Sequence, residues 1–301
     1  MAEQTGIESL EARAQRERDY LEGAQRKAFI CSLSGGVDSA TTAAVAQRAA
    51  PGRALGLLLP CSSAEELRGE RAKDIVDGQR AADHLGMPTV CINLSELWRA
   101  ASEALRAHAR QLAAAGGVAL DEKQLDWAVT NLKPTLRMMA AGFFADAFGG
   151  LTMGTDNAIE NFLGYFSVRG DGIADRQPLR DCTKGEVREL ARDAGLPADL
   201  VERVPTAGLW PGQTDEGELG FSYDQADAFF SWLVARHGEQ PVFEDTLTVR
   251  ADAVDALLGA SDLPVPREAA ARMIATNRRT SFKRTPHDLA QVLARRGLRP
   301  A

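Results

Sequence analysis

Phe29-Ile30-Cys31-Ser32-Leu33-Ser34-Gly35-Gly36-Val37-Asp38-Ser39 passes from an apolar run into two glycines and then into a helix-forming stretch. The run starts at Lys27 and shows no apolar–polar alternation, so it predicts a strand covered on both faces. The alanine-rich residues 40–50 continue as a helix that Pro51-Gly52 closes. Paired glycines let successive N–H groups point into one concavity, and the helix adds its positive end, which together make an anion site. Ser34 and Ser39 can donate to the same anion. A Walker loop would require G-x-x-x-x-G-K-[ST] and a dinucleotide fingerprint G-x-G-x-x-G; the stretch contains neither. Asp38 narrows the reading further. A carboxylate facing phosphates makes sense when a divalent cation bridges the two.

Outward from this turn, residues 53–60 and 89–94 are two more apolar runs, with a polar helical stretch over 64–86 between them. Strand–helix–strand–helix–strand with continuously apolar strands predicts a parallel sheet, doubly wound by right-handed crossovers. Residues 150–157 supply a fourth strand ending in a polar loop, and 6–26 suit an amphipathic helix. Residues 96–149 read as helix broken at Gly116-Gly117 and at Pro134. A glycine- and aspartate-rich loop covers 164–178. Thr183 and Glu186 then cap a helix that stops at Gly195. A second loop, rich in Pro and Gly, spans 204–220, and the remainder is mostly helical with an irregular centre near 238–246. The expected fold class is α/β: a Rossmann-like, doubly wound parallel sheet with flanking helices and a helical C-terminal appendage. Residues 1–232 form the core in this reading, 233–264 an insertion, and 265–301 a helical segment completing the same domain.

The 301 residues are 45% hydrophobic and 26% charged, with a formal net charge of -7. Such an acidic balance argues against general nucleic-acid binding, which needs a basic excess. No run of eighteen apolar residues and no secretory leader is evident, so a cytoplasmic protein without a membrane span is expected. Cys31, Cys61, Cys91 and Cys182 form no C-x-x-C pair and read as reduced, buried thiols.

Ser34-Gly35-Gly36-Val37-Asp38-Ser39 resembles the phosphate loop of the N-type ATP pyrophosphatase superfamily, whose members adenylate a substrate and release pyrophosphate. Within it, four further stretches resemble NAD synthetases in order and spacing: residues 153–160, 164–172, 183–184 and 205–220, with Tyr223 beyond. Residues 131–138 and 283–286 match as well. The resemblance covers roughly 6–232 and 268–287. It implies that Ser34, Gly35, Gly36, Val37, Asp38 and Ser39 hold ATP, together with Arg137, Thr155, Lys184 and Thr206. Asp38, Lys184 and Thr206 carry the catalytic roles in that reading, and Asp38 with Glu160 holds Mg2+. Arg169, Asp171, Asp175 and Lys283 fall to the acyl substrate. The implied reaction joins a small carboxylic acid, deamido-NAD or an analogue, to ammonia in a homodimer. No glutamine amidotransferase region is evident in the chain, so free ammonia or a separate glutaminase is the expected nitrogen source.

The departures from the family pattern cluster on the acyl side. G-D-G-G is here Gly170-Asp171-Gly172-Ile173, and the Lys-Tyr pair before it is Val168-Arg169. Thr135 replaces an arginine, and Phe282 the histidine before the late Lys-Arg. A relative that adenylates and amidates a different carboxylic acid is therefore the alternative. A tRNA-modifying relative would want paired cysteines and a basic face, and a non-catalytic nucleotide-binding relative would have no use for Asp38, Glu160 and Lys184 together.

Overall fold

A computed structural model of the chain describes residues 8–62, 70–206, 208–210, 212–237, 240–244 and 246–295. The apolar run at the phosphate turn is strand β1 (Phe29–Ser32), flanked by β2 (Ala54–Leu58) on one side and β4 (Leu151–Met153) on the other. Beyond β2 lies β3 (Thr89–Cys91), giving a parallel sheet of order β3-β2-β1-β4. Successive side chains of a strand alternate between the two faces. Phe29 and Cys31 accordingly pack with Ala43, Ala46 and Ala82 on one face. Ile30 and Leu57 meet Leu136, Ala140 and Ala145 on the other. Helices α1 (Leu10–Gly23), α2 (Val37–Ala49) and α3 (Glu70–Leu85) supply the first layer. The second comes from α4 (Ser95–Gly116) and α5 (Glu122–Phe148). The sheet is thus doubly wound, as the apolar strands require.

The chain leaves β1 toward β2 and β3 and later returns to β4 on the opposite side. The carboxyl ends of β1 and β4 therefore open the crevice where such sheets bind ligands.

Two sequence expectations change. β3 and β4 are the two edge strands; β4 is covered, whereas Val90 and Cys91 of β3 are exposed, so only the other three cysteines are buried. Pro134 does not break the helix, since α5 runs through it; the expected break at Gly116-Gly117 is present, with Gly117 in left-handed conformation. One backbone bond is lost at Pro134, at a cost of about 3 kcal/mol. Burial of Leu125, Leu136, Ala140 and Ala145 on the same helix offsets it. The first helix begins at Leu10, with Ser9 accepting from the Ala12 N–H, and the expected start at residue 6 lies outside the described residues.

The C-terminal part contains α6 (Ala158–Leu163), α7 (Lys184–Asp193), α8 (Ala198–Val201), α9 (Asp215–Leu219), α10 (Tyr223–His237), α11 (Val254–Leu258), α12 (Arg267–Arg279) and α13 (Pro286–Arg295). One apolar cluster joins Phe162 of α6 to Phe229 and Phe230 of α10, Phe243 and Val249 of the following segment, and Met273 of α12. Asn277 stitches this cluster together, accepting from Val249 N–H and donating to the carbonyls of Phe162 and Leu247. His237 Nδ1 accepts the N–H groups of Val242 and Phe243. Side chains from 242–257, inside the expected insertion, thus share a core with the helices before and after it. Among the described residues, no helix is long and apolar enough to cross a membrane.

Candidate active site

The turn after β1 and the loop after β4 form opposite walls of a cavity of about 830 Å³. Gly36 caps α2, which begins at Val37 and carries Asp38 in its first turn. The Ser39 hydroxyl donates to the Gly36 carbonyl and accepts from the Ser34 N–H at 3.2 Å, which folds the loop on itself. Across the cavity, Asn157 caps α6 in a reciprocal box with Glu160. That box fixes Glu160 facing the loop, and the Asn157 amide reaches back to Asp38 Oδ1 at 3.1 Å.

Lys184, at the first position of α7, completes the centre. Thr183 and Glu186 cap that helix as expected, and Asp227 accepts the N–H groups of Lys184 and Gly185. The Lys184 ammonium bonds Asp38 Oδ2 and lies 3.7 Å from Glu160 Oε1. Its side chain is 2% exposed. Burial alone would lower its pKa, but Asp38 and Glu160 outweigh burial and hold it above the ordinary value. Glu160 is pushed up to about 8, first by burial and then by Asp38, with Lys184 pulling the other way. Tyr223 stands beneath, its ring 4.7 Å from the ammonium and its hydroxyl between Glu160 (3.3 Å) and Asp215 (3.1 Å).

The Glu160 shift carries a stability prediction. An acid whose folded pKa lies above its unfolded value of 4.5 holds its proton more tightly when folded. Its contribution is complete below that value and drains away as pH rises toward 8. Glu160→Gln is expected to flatten the decline in melting temperature of the ligand-free protein between about pH 5 and 9. An unchanged decline would remove Glu160 as its source.

Three carboxyl groups, those of Asp38, Glu160 and Asp215, thus face one ammonium, and an added cation would favour their ionised forms. Among the described residues, no group of three or more His, Cys, Asp or Glu side chains gathers to hold a metal unaided. Asp38 and Glu160 fit an ion that takes one or two carboxylates and completes its shell with phosphate oxygens and water.

Ser34, Gly36, Val37, Asp38, Ser39, Arg137, Thr155, Glu160, Lys184 and Thr206 all line the cavity, as do Arg169, Asp171 and Lys283. Gly35 and Asp175 do not. Asp175 turns onto the fourth strand, where Oδ2 accepts the N–H and hydroxyl of Thr152 at 2.8 Å. Arg137 donates to the Leu59 carbonyl, and Lys283 to the carbonyls of Gly164 and Phe166. Asp171 accepts the Ser167 N–H, and burial raises its pKa. Buried Asp156, tied to Arg180 at 3.3 Å, sits behind it. The sequence reading assigned no role to Asn157, Asp215 or Asp156, although the N-x-x-E capping box was a signal for the first.

Described residues of the segment after α8 line the cavity between Val204 and Gln213, and the segment is tied to α5. Lys133 donates to the Leu209 carbonyl at 2.8 Å, Gln213 accepts the Leu209 N–H, and Trp210 stands 6.3 Å from Trp127 of α5. Ala207 and Pro211 of the expected loop lie outside the described residues.

A model of the NAD synthase family matches residues 10–286. An NH(3)-dependent NAD(+) synthetase of Carboxydothermus hydrogenoformans is 36% identical over 212 residues, 70% of this chain and 80% of the relative. Among solved structures, an NMN synthetase from Francisella tularensis superposes with a TM-score of 0.67 at 26% identity, covering 92% of this chain and 96% of its own. An NAD+ synthetase from Burkholderia pseudomallei gives 0.61 at 27% identity, with 91% and 88% covered.

Proposed function

The chain belongs to the NAD synthase family, and on that footing we propose that it is an ammonia-dependent NAD synthetase: ATP adenylates the carboxylate of deamido-NAD, pyrophosphate departs, and ammonia displaces AMP to leave the amide. The observation that carries this reading is the meeting of Asp38, Glu160 and Lys184 on the phosphate loop at the mouth of β1 and β4.

The chemistry asks for charge placement and dryness, not for a nucleophilic side chain. Gly36 and Val37 N–H groups, with Ser34 and Ser39, hold phosphate oxygens at the positive end of α2. Lys184 neutralises charge on the departing pyrophosphate. Mg2+ held by Asp38 and Glu160 would supply electrostatic neutralisation of the phosphates. Thr206 stands on the segment after α8 that lines the cavity, and its closure protects an acyl adenylate from water. Arg169, Asp171 and Lys283 face the acyl end. A cytoplasmic setting belongs to the same proposal, supported by the free thiols.

Purified protein with ATP, Mg2+, ammonium and deamido-NAD is expected to yield NAD and AMP in equal amounts by mass spectrometry. A second reading has one observation behind it. The Francisella neighbour makes a mononucleotide product, and Val168 and Phe282 line the acyl end of this cavity where the family pattern has Lys and His. If ATP stays intact with deamido-NAD but is cleaved with nicotinate mononucleotide, the shorter acceptor replaces the dinucleotide.

A homodimer is also proposed. Leu105 and Leu112 of α4, with Met139 and Phe143 of α5, repeat at helical spacing and stand exposed, Leu112 at 74% and Phe143 at 68%. Contiguous apolar helix faces mark interaction surfaces. Phe143→Lys is expected to halve the mass seen by light scattering. A monomeric wild type would end the dimer proposal.

A further inference from the structure

Of the phosphate-loop residues 34–39, Gly35 alone stands off the cavity wall. Its carbonyl oxygen accepts a hydrogen bond from Nη1 of Arg203, itself on the cavity wall, at 3.0 Å. The same guanidinium is held by Asp77 at 3.2 Å and, through its other terminal nitrogen, by Asp74 of α3. Gly35 has a φ of +80°, and a Cβ there would meet the Asp74 carbonyl oxygen at 2.5 Å and Arg203 Nη1 at 2.9 Å. Helix α3 and Arg203 therefore press directly on the loop at Gly35, and Asp74, Ile75 and Arg203 also reach the cavity wall beside it.

In a trans peptide the carbonyl and the N–H point in opposite directions. Holding the Gly35 oxygen on Arg203 aims the Gly36 N–H away from the guanidinium. That N–H donates to Ser34 Oγ over 3.4 Å, a long bond that a phosphate oxygen can displace. Two consecutive glycines leave this peptide free to turn over unless something outside the loop holds it. Turned over, it would present a carbonyl oxygen to the phosphates where a donor is needed.

We infer that Arg203 is a positioning residue that locks the Gly35–Gly36 peptide so that the loop offers its N–H to the phosphates of ATP. The inference rests on the phosphate-loop reading above. The positive charge of Arg203 is already matched by Asp74 and Asp77, so orientation, not net charge, is what it contributes to ATP. Arg203 also opens the segment that carries Thr206, and so joins that segment to the phosphate loop through one side chain.

Calorimetric binding of ATP and of adenosine to Arg203→Met and Arg203→Lys tests this. Arg203→Met is expected to weaken ATP by about tenfold or more while adenosine stays within about twofold. Arg203→Lys, which keeps a donor for the Gly35 carbonyl but not the fork, is expected to regain most of the ATP affinity. Equal losses for ATP and adenosine, unchanged ATP binding, or a lysine variant no better than methionine would each overturn the inference. Should Arg203→Met not fold, Asp74→Asn takes its place, with a smaller loss confined to ATP expected and a loss shared by adenosine overturning it. Wild-type protein that bound ATP no better than adenosine would instead sink the phosphate-loop reading itself.

Discussion

Lys184→Met is expected to slow pyrophosphate release by about a hundred- to a thousandfold, the scale for removing one preorganised stabiliser of developing charge. It is also expected to lower the melting temperature. Methionine fills nearly the same volume over the Tyr223 ring, so lost packing is a small part of the effect. The larger part is charge. With the ammonium gone, Asp38, Glu160 and Asp215 face one another without a cation, and breaking a buried pair in this way costs about 3–5 kcal/mol. Two features move this case to the low end. Asp38 keeps 17% of its side chain exposed, and Glu160 already holds its proton up to about pH 8. Single-turnover release of pyrophosphate, measured beside thermal unfolding, separates the two effects. A variant that loses stability but releases pyrophosphate at the wild-type rate would make Lys184 a purely structural residue.

The elements legible in the sequence are those whose cause is local. The β1 turn could be read because apolar continuity, two glycines and a helix-forming run lie within a dozen residues. The Thr183–Glu186 box was visible for the same reason. What escaped depends on chain segments far apart. Asn157 reaches Asp38 across 119 residues, and Arg203 reaches Gly35 across 168. No periodicity reports such meetings. Asp175 shows the limit from the other side: its residue type suits a substrate contact, yet the Thr152 backbone at the strand end claims its carboxylate. Pro134 is a local signal overruled by packing along a helix of 27 residues. Val90 and Cys91 have the composition of a buried strand, but they lie on an edge strand left exposed while β4 at the other edge is covered, and which edge is covered is a property of the whole chain.

Asp38→Asn should be as damaging to activity as the lysine change, and its cause can be isolated more cleanly. Asp38 stands between two donors, the Lys184 ammonium on Oδ2 and the Asn157 amide on Oδ1. An asparagine there must turn its NH₂ toward one of them. Asn157 cannot flip to help, because its own oxygen accepts the N–H groups of Ile159 and Glu160 at 3.0 Å. The neutral isostere therefore places donor against donor, costing about 1–3 kcal/mol, and removes a charge proposed to face the bridging cation. Activity is expected to fall about a hundred- to a thousandfold and to stay low as Mg2+ is raised. The double variant Asp38→Asn with Lys184→Met decides whether the two side chains act as one unit. With the lysine gone, the asparagine can aim its NH₂ at the vacated side and its oxygen at Asn157. The combined stability loss is then expected to fall short of the sum by about 1–3 kcal/mol. Strict additivity would mean that Asp38 and Lys184 contribute independently, and the paired-charge account of this site would have to be abandoned.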